Sequence, residues 1–167
     1  MTLTFHQIHR DEFNTVLNLF KEAAEKIAKM HIDHWQYWKN PPAEKIKWVQ
    51  DGIKNNEYFF IKNTSNTTIG MVRILNEDHL YWGDQKDAAL YVHSLMVKTE
   101  YNGQGIGKTI LKSIEEQAKA KSCNYLRLDA DSKNPKLCGY YEHLGFNKVG
   151  EKVLPISTYN LYQKEIL

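Results

Sequence analysis

Three glycines stand at alternate positions in Asn102-Gly103-Gln104-Gly105-Ile106-Gly107, and Lys108 and Thr109 follow them. A glycine-rich turn that opens a helix suits phosphate: unpaired backbone N–H groups and the positive end of the helix dipole converge there, and no side chain obstructs the approach. Gly107-Lys108-Thr109 matches the end of a nucleotide-binding P-loop, and Leu126-Arg127-Leu128-Asp129 could serve as its magnesium-holding strand. However, the first glycine of that motif is Asn102 here, and too little chain follows Thr109 to build the parallel sheet behind such a loop. The dinucleotide pattern fails as well, since Gly105 and Gly107 stand one residue too close. His31, Asp33 and His34 could be drawn as metal ligands, but no fourth partner stands at a suitable spacing, so no metal is expected.

The glycine run needs a strand before it and a helix after it. Leu90 to Val97 reads as that strand, and Ile110, Leu111, Ile114 and Ala118 mark the helix. Upstream, Phe13, Val16, Leu17, Phe20, Ala24 and Ile27 form the stripe of an amphipathic helix over Phe13 to about Met30. A second helix is expected from about Ala43 to Asn55, punctuated by Pro41-Pro42. Tyr58 to Ile61 and Ile69 to Leu75 read as strands of a hairpin across Asn63-Thr64-Ser65-Asn66. Downstream come a strand at Tyr125 to Asp129 and a helix opened by Asn134-Pro135 and stopped by Gly145. Strands at Phe146 to Val153 and Ile156 to Lys164 follow. This order predicts a mixed α/β domain over residues 1–167, undivided by any repeat or linker.

Two stretches resemble the GNAT superfamily of N-acetyltransferases. One is the glycine run preceded by Leu95-Met96-Val97. The other is Asn134, a short helix, and Tyr140-Tyr141-Glu142-His143-Leu144-Gly145-Phe146. The likeness is carried by Tyr91 to Phe146; it covers the C-terminal two-thirds of the chain closely and the first 55 residues only in outline. Asn102 departs from the Gln or Arg usual in the family's loop. The resemblance implies an α/β fold of mixed α+β type: a central, mostly antiparallel sheet of about seven strands with about four helices, splayed at an acetyl-CoA cleft. It also implies transfer of an acetyl group from acetyl-CoA to a primary amine, by direct attack in a ternary complex. The alternatives are an inactive acyl-CoA-binding module and an enzyme acting on protein or peptide amines.

That reaction requires a deprotonated amine, stabilisation of the thioester oxygen and a proton for the departing thiolate. The resemblance assigns the second task to backbone N–H groups near Leu95, Met96 and Val97. It rests the pyrophosphate on the loop from Asn102 and Gly103 through Gln104, Gly105, Ile106, Gly107 and Lys108, with the Thr109 hydroxyl and Asn134 as further contacts. Tyr141 takes the proton-donor position; by helix pattern alone it reads as a core aromatic beside Leu137 and Tyr140. His93 stands where similar enzymes carry a glutamate base, and it reads equally as a hydrogen-bonded core histidine. Glu77 and Asp78 are rival carboxylates or simply solvated acids. Trp35, with Trp38, and Trp82, with Tyr81, could wall a pocket for a small amine or could be packing residues.

Composition agrees with an ordinary globular protein. Hydrophobic residues make up 42% and charged residues 25%, and 22 basic residues against 20 acidic ones leave a net charge of +2, too even to argue for nucleic acid or a membrane surface as partner. Lys112, Glu115, Glu116 and Lys119 read as a solvated helix face. With no apolar run for a signal or a membrane span, a cytoplasmic protein is expected, Cys123 and Cys138 staying as thiols. Room is left for a homodimer.

Overall fold

The computed structural model describes residues 2–32 and 35–166. β1 (Thr4–Gln7) leads to α1 (Phe13–Lys29), which buries Val16, Leu19, Phe20 and Ala24 on one face. A 3-10 turn over Gln36–Lys39 precedes α2 (Ala43–Lys54), entered through Pro42. β2 (Tyr58–Lys62) and β3 (Thr68–Leu75) pair as the expected antiparallel hairpin. Its turn is tied by Asn63 Oδ1, which accepts from the amides of Ser65 and Thr67 at 3.0 Å each. Next come α3 (His79–Trp82), β4 (Ala89–Val97), α4 (Ile106–Ala120), β5 (Tyr125–Asp131), α5 (Pro135–His143), β6 (Asn147–Val153) and β7 (Thr158–Glu165).

The sheet order is β1-β2-β3-β4-β5-β7-β6. β4 and β5 run parallel, whereas β1–β2, β2–β3, β5–β7 and β6–β7 are antiparallel, so the sheet is mixed and mostly antiparallel. Sequence periodicity locates every strand except β1 and every helix except α3. Each of these spans only 4 residues, too few to display a period. Among the described residues, no helix is long and apolar enough to cross a membrane.

The chain gathers into two compact units, one holding residues up to Arg73 with Ser94–Gln104, the other Ile74–His93 with the chain from Gly105 onward. In the first, Phe20 stacks on Trp38 with ring centroids 3.9 Å apart. Buried Arg73 lies over Trp48 and pairs with Glu57 at 2.8 Å. A Cβ on Gly70 would collide with the carbonyl oxygen of Met96, so glycine is required there. In the second unit, α4 buries Ile106, Ile110, Leu111, Ile114 and Ala118. Arg127 donates to Tyr91 Oη at 2.8 Å and to Gln163 Oε1 at 3.0 Å while stacking on Trp82. Cys123 and Cys138 are buried free thiols, as expected. On α4, Lys119 reaches Glu116 at 3.0 Å and Glu115 at 3.9 Å, the solvated charge pattern anticipated there.

Candidate active site

The parallel ladder of β4 and β5 runs from Ala89 opposite Tyr125 to Val92 opposite Leu128. His93 and Asp129 are the next residues on the two strands. The short helix α3 brings in the third member: Asp78 caps it, Oδ1 accepting from the Tyr81 amide at 3.2 Å while Oδ2 lies 2.6 Å from His93 Nε2. Asp129 Oδ2 lies 3.4 Å from His93 Nδ1 on the other side of the ring. The side chains of Asp78, His93 and Asp129 are 4%, 9% and 9% exposed, so the imidazole sits between two carboxylates in a largely dry setting. Donor atoms of the three come within 4.8 Å of one another. However, the imidazole separates the carboxylates and turns one nitrogen to each, an arrangement of hydrogen bonding rather than of ligands around one ion. The Tyr81 ring lies 4.8 Å from that of His93 and is met edge-on by Tyr159.

Burial, only partly offset by His93 and reinforced by the charge of Asp78, pushes the Asp129 carboxyl up to about 6. Tyr141 lies on α5, where Asn134 Oδ1 caps the first turn by accepting from Leu137 N at 3.2 Å and Gly145, at φ 94°, closes the end. Its ring packs against Phe146 and Tyr162, and the residue is only 8% exposed. Burial first, then the negative charge of Asp129, raises the Tyr141 phenol, which therefore keeps its proton at neutral pH.

The glycine run forms the expected turn. Gly103 and Gly105 have φ of 77° and 69°, a left-handed conformation that favours glycine, and a Cβ on either would meet open space. Gly105 is the N-cap of α4, and the amide of Thr109 makes the first helical bond to its carbonyl at 3.1 Å. The amides of Ile106, Gly107 and Lys108 therefore have no acceptor within the helix. Bare amides beside open glycine faces fit a diphosphate such as that of acetyl-CoA. The Thr109 hydroxyl donates to Gly105 O at 3.1 Å and so turns back into the helix. Tyr140 Oη stands 3.1 Å from where a Cβ on Gly107 would be.

Several expectations are corrected. Asp78 is not a solvated loop acid but a buried partner of His93, whereas Glu77 is exposed and clasps His79 at 3.0 Å. Tyr140 is 39% exposed rather than core-facing. Trp82 lies in a small core with Ala89 and Tyr91, and Trp38 is buried against Phe20, positions that agree with the packing alternative. Trp35 is half-buried against Phe20 in a left-handed conformation, φ 67°. The face Tyr91-His93-Leu95-Val97 is interrupted at Ser94, whose φ of 55° breaks the alternation; Leu95 and Val97 are half-buried and Met96 is buried. Asn102 is exposed, its amide bonded to Thr99 O at 3.1 Å. Of the candidate metal ligands, Asp33 and His34 lie outside the described residues. Asp129, inside β5 and not at its end, was weighed only as the acid of the discounted magnesium-holding strand, and nothing in the sequence sets it beside His93.

The sequence pattern of the Acetyltransferase (GNAT) family matches residues 18–146. Bovine (Bos taurus) thialysine N-epsilon-acetyltransferase is 38% identical over 66 residues, 40% of this chain and 39% of that protein. The chain spans about half the length, or less, of the curated relatives it matches first. Among solved structures, a GNAT-family acetyltransferase from Listeria monocytogenes superimposes with a TM-score of 0.79 at 21% identity, covering 98% of this chain and 94% of its own. Spermidine N-acetyltransferase from Vibrio cholerae, in complex with CoA and spermine, gives 0.65 at 15% identity, covering 98% and 95%.

Proposed function

Because the chain belongs to the Acetyltransferase (GNAT) family, we propose that it moves an acetyl group from acetyl-CoA to a primary amine of a small molecule, by direct attack in a ternary complex. The observation that carries this reading is the pairing of His93 with buried Asp78 in the unit that also holds Tyr141. Acetyl-CoA, when bound, supplies an activated acyl carbon and a thiolate leaving group. The free amides of Ile106, Gly107 and Lys108 hold its diphosphate, with Gly103 and Gly105 leaving room for close approach. Backbone N–H groups of Leu95 to Val97 stabilise the thioester oxygen as it gains charge.

His93 is the base. The Asp78 carboxylate, 2.6 Å from Nε2, orients the ring and favours its taking up the amine's proton, directly or through one water. Tyr141, held protonated by burial, gives its phenol proton to the departing sulfur. A small-molecule acceptor is supported by the thialysine and spermidine enzymes among the relatives. The test is a panel of polyamines, aminoglycosides, amino acids and peptides incubated with acetyl-CoA, reading free CoA thiol. Release with a small amine is expected. Release with peptides alone would move the acceptor class, and binding of acetyl-CoA without release from any amine would mark an inactive module.

A further inference from the structure

Gly107 is glycine for a different reason from Gly105. Gly105 takes a left-handed φ of 69°, which favours glycine, whereas Gly107 lies within α4, where only proline is a poorer helix former. Conformation does not call for glycine at position 107; space does. A Cβ there would stand 3.1 Å from Tyr140 Oη, so close that the hydroxyl would have to give by a few tenths of an ångström. Among the described residues outside α4, no other comes within 4 Å of that point. Tyr140 arrives from α5, its ring tilted against that of Tyr141 with centroids 5.6 Å apart. The two neighbours divide: Tyr141 turns inward onto Phe146 and Tyr162, and the exposed Tyr140 extends its hydroxyl to the first turn of α4.

We propose that Tyr140 is a cosubstrate-binding residue: its hydroxyl donates to a diphosphate oxygen of acetyl-CoA, completing from α5 the set of donors that the first turn of α4 begins. The amides of Ile106, Gly107 and Lys108 have no acceptor within the helix, and the hydroxyl beside them adds a donor from a second helix at the same corner. A group with several anionic oxygens answers such a corner, and a cation does not. Partial burial raises the Tyr140 phenol, so its O–H is intact at neutral pH. Gly107 is then the residue that lets the hydroxyl in, because a methyl group there would press on Oη. The inference rests on the reading of acetyl-CoA as the acyl donor held at this turn.

The experiment measures CoA and acetyl-CoA binding by calorimetry for the parent, Tyr140→Phe, Gly107→Ala and the double variant. Phosphorus NMR of bound CoA, which separates the diphosphate from the phosphate monoester on the ribose, is recorded for the parent and Tyr140→Phe. Tyr140→Phe keeps the ring and loses one hydrogen bond to a charged group, so the Kd for both ligands should rise about tenfold. The diphosphate resonances should move while the monoester stays in place. Gly107→Ala should weaken binding in the parent and change it little in Tyr140→Phe, where the methyl group no longer meets an oxygen. Parent affinity in Tyr140→Phe, or weaker binding with unmoved diphosphate resonances, overturns the inference and leaves the proposed reaction untouched. An equal loss from Gly107→Ala in both backgrounds overturns the pairing of Gly107 with the hydroxyl. A parent that binds neither CoA nor acetyl-CoA overturns the proposed function and this inference together.

Discussion

At the level of single residues, the site is built from groups placed against their own solvation. Asp129 carries its carboxyl at about 6 in the fold against an ordinary 3.8, so the folded protein binds this proton more tightly than the unfolded chain. Such a raised acid destabilises the fold, fully so above pH 6 and not at all below the unfolded value. Asp129→Asn should therefore stabilise the protein by up to about 3 kcal/mol at pH 8, an advantage that fades as the pH falls toward 4; denaturant titrations of both proteins at the two pH values would measure it. Tyr141→Phe removes one oxygen but keeps the ring against Phe146 and Tyr162. Stability and acetyl-CoA affinity should stay near the parent values while kcat falls by about 10²- to 10⁴-fold. His93 and Tyr141 could be singled out in the sequence because their residue types and the family resemblance coincided there. Asp129 could not, since an acid within a strand acquires meaning only once its neighbours across the sheet and from the α3 turn are known.

Among the elements, the strand, glycine turn and helix around Gly105 were legible because their signal is local: glycines at fixed offsets and an apolar stripe behind them. Gly105→Asp places a side chain and a negative charge at a left-handed N-cap whose amides face outward. Acetyl-CoA binding measured by calorimetry should be lost while the circular dichroism spectrum is retained; unchanged affinity would remove the loop from the binding site. Helix α5 was equally legible through Asn134-Pro135 and Gly145. Asn134→Ala should cost about 1 kcal/mol by denaturant titration, through loss of the bond from Leu137 N. Less legible were the places where a long-range contact overrides the pattern. Nothing near Gly70 in the sequence announces that Met96 O will occupy the space of its Cβ, and nothing near Ser94 announces a left-handed residue within a strand. Likewise α3, a single turn capped by Asp78, has no period to detect.

Over the whole chain, the strongest sequence signals fall between Tyr91 and Phe146, and the family pattern extends this coverage to residues 18–146. The aromatic segment from Trp35 to Trp38 could wall an acceptor pocket or pack, and composition alone does not separate the two, since the same rings that could line a pocket also fill a core, as Trp38 does on Phe20. The near-neutral charge balance does not by itself favour an acceptor of either sign. The most direct test of acetyl transfer uses acetyl-CoA labelled at the acetyl carbonyl and an amine found by the panel, with mass spectrometry of the products formed by the parent and by Tyr141→Phe. The account expects the label in an amide of that amine, free CoA in equal amount, and much slower formation of both by Tyr141→Phe. An intact thioester in the presence of bound acetyl-CoA and every amine of the panel, or equal rates for the two proteins, would contradict it.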